Sequence, residues 1–232
     1  MNYVRKIIRS LLKKLLWLSA TLLLISILLV ASLNYINPPI WAWQLQRQII
    51  PPENYPAQVK HQWVKWAQVS KNMKLAVIAS EDQLFGQHYG FDFNSMMAAL
   101  DSNAQGKRIR GASTISQQTA KNLFLWPGKS FIRKAIEAWF TVLMELLLDK
   151  QRILELYLNL VEFGPGIFGV EAASQFYYKK KAGNLSIREA ARLASVLPNP
   201  YRFHVNRPSK YIIQRTKWIE KQMHQLGQSA LP

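Results

Sequence analysis

The chain has 232 residues, with 30 Lys+Arg against 13 Asp+Glu, a formal net charge of +17 and no cysteine. That length allows one compact domain plus an appendage, and the missing cysteines exclude a disulfide framework, a thiolate nucleophile and a Cys-ligated zinc cluster. So basic a balance calls for an anionic partner: nucleic acid, anionic lipid or a phosphorylated substrate.

The N-terminus narrows that choice. Residues 1–14 carry Arg5, Lys6, Arg9, Lys13 and Lys14 without an acid, and Leu15 to Leu33 then run without a charge. At ~1.5 Å per residue this stretch spans roughly 28 Å, about one hydrocarbon core. The length exceeds that of a signal-peptide apolar region, so it reads as an uncleaved anchor even though "VAS" at 30–32 offers small residues. Positive charge before the span, and none after it until Arg47, places the N-terminus in the cytoplasm. The expected organisation is a basic cytoplasmic tail (1–14), a transmembrane helix (15–36), a Pro-rich linker (37–58) and a catalytic domain (59–232). Outside the cytoplasm, the domain is not expected to meet nucleic acid.

Residues 34–58 hold five of the eleven prolines and read as an extended linker, with Trp41 and Trp43 near the membrane interface. Beyond it the chain reads as mainly α. Apolar residues at 63, 66, 69, 73 and 77 predict a helix over 61–80. Ser130 is placed to cap a helix from Phe131, and "KQRILELYLNLVEF" (150–163) predicts another, stopped by "GPG". "SIRE", Ser186 to Glu189, is a capping box, and a last helix over 209–226 ends at Gly227. No segment shows sustained period-two alternation.

The chemistry is announced by charge. From Ser102 to Ile136 there is no acid, yet Lys107, Arg108, Arg110, Lys121, Lys129, Arg133 and Lys134 all fall there. Interleaved is "GASTISQQTAKN" (111–122), dense in hydroxyls and amides. Fixed cations with neutral donors suit a phosphate or pyrophosphate, because charge-assisted bonds to phosphate oxygens are strong. Lys107 to Arg110 also fit a basic face against anionic lipid. Glu81 precedes the stretch, at the end of the apolar "AVIAS"; burial there would raise its pKa and make it a better proton acceptor. The residues alone leave open whether Glu81, with Asp82 and His88, performs chemistry or closes a helical turn. Glu137 closes the stretch, four residues after Arg133 and three after Lys134, and from spacing alone reads as a surface ion pair. No D-x-D motif announces a carboxylate-held metal.

At these residues the sequence resembles the peptidoglycan glycosyltransferases. "EDQLFGQHYGFD" (81–92) is similar to that family's first motif, "GASTISQQTAKN" to its second and "RKAIEA" (133–138) to its third. "RILELYLNLVEFGPGIFGVEAA" (152–173) and "REAARLASVLPNP" (188–200) match the fourth and fifth. The length and anchor resemble the monofunctional biosynthetic transglycosylases, with no room for the transpeptidase domain of penicillin-binding proteins. The resemblance implies a lysozyme-like helical fold beside the bacterial cytoplasmic (inner) membrane, acting in cell wall biosynthesis. It implies lipid II as acceptor and a growing, undecaprenyl-pyrophosphate-linked glycan as donor. Glu81 would deprotonate the acceptor's 4-hydroxyl, and Glu137 would support the pyrophosphate site. Lys121, Lys129, Arg133 and Lys134 would hold phosphate; Gln117, Gln118 and Asn122 would orient oxygens, with Asp82, Ser113 and Thr114 also on the substrate side. Lys129 stands where the family often has Arg, and Leu84 where a basic residue is common. Gly164, Gly166 and Gly169 are expected to shape a turn rather than bind substrate.

A lytic transglycosylase or muramidase shares the fold and a single Glu, but needs no pyrophosphate pocket. A catalytically silent membrane scaffold is the other alternative. The chain encodes no cofactor site, which leaves open a divalent cation brought in on the pyrophosphate. Protein partners in the cell-division and cell-wall synthesis machinery also stay open.

Overall fold

The computed structural model describes residues 2–104, 113–128 and 130–232, and these form ten α-helices and one small sheet. Lys107, Arg108, Arg110 and Lys129 lie outside the described residues.

Helix α1 (Asn2–Ser32) is 31 residues long, so the basic tail continues into the apolar span as one helix rather than forming a separate segment. It is the one helix among the described residues long and apolar enough to cross a membrane. Its far end is not free. Val30 and Leu33 are buried, and Trp139 on α6 (Phe131–Leu147) donates its indole N–H to Ser26 Oγ at 3.1 Å. Arg152 donates to the Leu33 carbonyl at 2.7 Å and to Asn37 Oδ1 at 2.8 Å, tying the chain where it leaves the span.

The expected extended linker is instead folded onto the domain. It contains α2 (Ala42–Ile49), and Trp41, expected at the membrane interface, is only 2% exposed. Its ring meets His61 and Phe168 edge-on, with centroids 4.8 and 5.5 Å away. These aromatic contacts from β1 and β3 take the large apolar body of the indole into the core.

Residues 61–70, expected to be α-helical, hold only a single 3-10 turn, Trp66–Gln68. Lys60–His61 form β1, and Asn159 both accepts from Val64 N–H and donates to its carbonyl, at 2.8 and 3.0 Å. Those bonds satisfy the backbone without a helical partner. Helix α3 (Lys71–Glu81) starts only where Ser70 caps it by accepting from Met73 N–H. Its residues Met73 to Ala79 are all buried, so it is the domain's central helix, packed on α9 (Ile187–Val196) and α10 (Lys210–Leu226). Caps at Thr114, Ser130, Asp149, Ser186 and Ser209 open α5 (Ile115–Phe124), α6, α7 (Lys150–Leu160), α9 and α10. Helix α4 (Phe93–Ala104) lies between the first two motifs, and α8 (Val170–Tyr178) follows the sheet.

Strands β2 (Glu162–Gly164) and β3 (Ile167–Phe168) pair antiparallel, and β1 joins β3 in parallel, giving the order β1-β3-β2. Two- and three-residue strands are too short to leave an alternation in sequence. Gly169, with φ +78, shapes the turn into α8: a Cβ there would lie 2.7 Å from the Asn159 carbonyl oxygen.

Candidate active site

Glu81 ends α3 with its side chain only 11% exposed. Gln118 donates Nε2–H to Glu81 Oε2 at 3.1 Å, and Ser80 Oγ donates to Oε1 at 3.3 Å. The Arg215 guanidinium lies 3.7 Å from Oε1 and donates to the Ser80 carbonyl at 3.5 Å. Burial raises the Glu81 pKa above the usual carboxylate value, while Gln118, Arg215, Ser80 and Lys121 pull in the other direction. The result is a carboxylate that is oriented yet basic. Tyr157, fully buried, donates to Gln118 Oε1 at 3.2 Å and so fixes which end of the amide faces Glu81.

Asp82, expected on the substrate side, spends its oxygens internally. His88 Nδ1 accepts from Gly90 N–H at 3.1 Å, so Nε2 carries the proton and donates to Asp82 at 2.9 Å. Asp82 Oδ2 also accepts from Ile115 N–H at 3.0 Å. A carboxylate at a helix N-terminus is favoured by the exposed N–H groups, and here it locks α5 to the end of α3. Thr114 and Gln117 are likewise internal: Gln117 Oε1 accepts from Thr114 N–H, and Thr114 Oγ1 accepts from Gln117 N–H and donates to the Gly90 carbonyl. These internal bonds fix Asp82 and Thr114, both of which still line the cleft at Glu81, while Gln117 is spent on the start of α5. Ser113 remains exposed, and lines this cleft of about 420 Å³ with Glu81, Asp82, Leu84, Thr114 and Trp218.

The second carboxylate overturns the surface reading. Glu137 is 3% exposed, held by Arg133 at 3.1 Å and by Lys134. Arg133 Nε is buried without a hydrogen-bond partner among the described residues, so one donor of the fork is unspent. Lys121, on α5, stands between the two acids electrostatically. Burial and the nearby Arg133 and Lys134 hold its pKa below the usual lysine value, while Glu137 and Glu81 oppose them. Asn122, one residue on, is buried at 7% exposure. Motifs far apart in sequence thus meet as a base on one side and a cluster of cations on the other.

Arg215 and Tyr157 belong to this arrangement and were not anticipated as site residues. Arg215 is one of several basic residues in a basic C-terminal helix, and Tyr157 falls on the buried face of α7. Neither carries a local signal that separates it from its neighbours.

The transglycosylase family profile matches residues 48–224, well over half of the chain. A biosynthetic peptidoglycan transglycosylase of Aeromonas hydrophila is 56% identical over 209 residues, covering 90% of this chain and 88% of its own. One from Shewanella oneidensis is 55% identical over 206 residues (89% and 88%), and one from Ectopseudomonas mendocina 50% over 227 (97% and 92%). With the family's profile spanning the whole arrangement from Glu81 to Arg215, the chain belongs to the transglycosylase family.

Proposed function

We propose that the chain is a membrane-anchored peptidoglycan glycosyltransferase that polymerises lipid II into β-1,4-linked glycan strands and releases undecaprenyl diphosphate. The observation that carries this reading is the pairing of one raised-pKa carboxylate, Glu81, with the half-buried cations Lys121 and Arg133 around the buried Glu137. Glu81 takes the proton of the acceptor's N-acetylglucosamine 4-hydroxyl. The freed oxygen attacks C1 of the donor's terminal N-acetylmuramic acid. The C1–O bond to pyrophosphate breaks with its electron pair, and configuration inverts from α to β. Lys121, Arg133 and Lys134 meet the charge that grows on the departing diphosphate, which is where fixed donors contribute most. Lys129 joins them in this reading. The cleft beside Ser113 receives the acceptor sugar, and Gln118 and Asn122 orient sugar or phosphate oxygens.

The scheme asks for no protein-held metal; a divalent cation, if used, arrives on the pyrophosphate. Attack by a neutral hydroxyl needs a base near neutral pH, and burial supplies one at Glu81. Hydrolysis of finished glycan would leave the cationic cluster without a task. For topology, the basic residues before the apolar span favour an N-terminus in the cytoplasm and a catalytic domain on the periplasmic face. The contacts of α6 and Arg152 with the end of α1 support a domain seated at the bilayer surface, where a lipid-linked substrate is presented.

Purified full-length protein in vesicles with lipid II tests the reading, with muramidase-digestible polymer as readout. Polymer from lipid II, and no soluble fragments from finished murein, is the expected result. Fragments from murein without polymer would favour the lytic alternative.

A further inference from the structure

We infer that Trp43, on the short helix between the membrane span and the catalytic domain, is a positioning residue for Lys121, and that Glu162 holds it in place. This rests on reading Lys121 as a pyrophosphate ligand. Trp43 also precedes residue 48, where the match to the family profile begins.

Lys121 lies in the last turn of α5. Among the described residues its ammonium makes no hydrogen bond or ion pair, and its near contact is the Trp43 ring, whose centroid is 5.6 Å from Nζ. An aromatic face attracts a cation through its quadrupole and consumes none of the ammonium N–H groups. A carboxylate in the same place would occupy those donors and cancel the charge. A ring therefore suits a lysine that must stay charged in a crowd of cations and keep its donors for a ligand. Arg133 and Lys134, both close enough to disfavour the Lys121 charge, make that support matter.

The ring is itself held from several directions. Glu162, only 4% exposed, accepts from Trp43 Nε1 at 3.4 Å, Tyr55 Oη at 3.0 Å, Tyr201 Oη at 2.9 Å and Gly166 N–H at 3.0 Å. Arg47, one helical turn after Trp43, lies 3.7 Å from Glu162. Its guanidinium stacks 4.6 Å from the Trp43 ring and 4.8 Å from the Tyr201 ring. One buried carboxylate thus gathers α2, the segment after it, the β2–β3 turn and the loop before α10. A carboxylate so enclosed is costly to bury unless its partners are all present. The consequence is that the juxtamembrane helix supplies a wall of the pyrophosphate site.

The test uses full-length protein in vesicles and inorganic pyrophosphate as a competitive inhibitor of lipid II polymerisation, at constant ionic strength. Loss of a desolvated cation–π contact is expected to weaken that inhibition about five-fold in Trp43→Leu, while Trp43→Phe, which keeps an aromatic face, stays within about two-fold of wild type. Combining Trp43→Leu with Lys121→Ala should weaken it no further than Lys121→Ala alone. Glu162→Gln should follow Trp43→Leu in direction. Thermal midpoints check that each protein is folded, and Trp43→Met gives the same contrast should the branched leucine not pack. If Lys121→Ala weakens inhibition but Trp43→Leu does not, or if the two losses add, Trp43 does not position Lys121. If Lys121→Ala itself leaves inhibition unchanged, the assignment of Lys121 falls, and this inference with it.

Discussion

Gln118 donates to Glu81 Oε2 at 3.1 Å while its own carbonyl oxygen accepts from Tyr157. The amide cannot turn over without losing the tyrosine bond, so it presents an N–H to the carboxylate and a fixed face to the substrate. Gln118→Ala should leave Glu81 free to rotate. We expect a loss of about ten-fold in kcat with little change in thermal midpoint, since one neutral-to-charged hydrogen bond is worth roughly 1.5–3 kcal/mol. Gln118→Glu, which sets a second acid beside Glu81, should be worse than alanine. An activity order with glutamate above alanine would contradict the role given to the amide.

The pH profile follows from the sign of the Glu81 shift. Its pKa is raised by burial, so the acid limb of kcat/KM should sit above the ordinary carboxylate range. Arg215 pulls that pKa down from 3.7 Å away. Arg215→Gln should therefore move the acid limb to higher pH, and Arg215→Lys should partly restore it. A limb that moves to lower pH, or does not move, would show that Arg215 does not act on the base.

Helix starts were legible because a capping serine or threonine is a local device: Ser130 and Ser186 sit where their spacing predicts. The candidate acids and cations were also legible, since an acid-free stretch rich in lysine and arginine needs no partner to be noticed. What stayed hidden depends on distant chain. Trp41 and Trp43 look interfacial in isolation, and only Phe168 and Glu162, from a later motif, make one core and the other a hub member. Glu137 looks like half of an exposed helical pair, and burial is set by what packs over α6. Asp82, Thr114 and Gln117 carry donors and acceptors of the right kind; their engagement by His88, Ile115 and Gly90 cannot be read from type alone.

The folded juxtamembrane segment yields a prediction about truncation. A chain beginning at residue 59 loses Trp41, α2 and the partners that α2 gives Glu162, and should melt well below a chain beginning at residue 38. Trp41→Ala alone should cost about 3–5 kcal/mol, as expected for emptying a large buried site. Equal melting of the two truncations would show that the segment is the independent linker its prolines suggest.

For the cations, Lys121→Ala and Arg133→Ala should each lower kcat/KM about ten- to a hundred-fold, the range for losing one charge-assisted contact. Lys129→Arg should be neutral or beneficial if that position grips phosphate. Unchanged kcat/KM in both alanine variants would remove the pyrophosphate site from this cluster.

The most direct measurement is polymerisation of lipid II by Glu81→Gln, read beside its thermal midpoint. The amide keeps the shape of the side chain but cannot accept the proton, so turnover should fall by at least about 10²-fold. Because the folded-state pKa of Glu81 is raised, its stability contribution is present at low pH and lost as pH rises through that pKa. At neutral pH the ionised acid is a burden, and the Glu81→Gln midpoint should hold or rise. Glu137→Gln should lower the midpoint instead, because it leaves Arg133 and Lys134 without their buried counter-charge. A folded, at least equally stable and inactive Glu81→Gln is the expected result. Polymerisation within about three-fold of wild type would show that Glu81 is not the base.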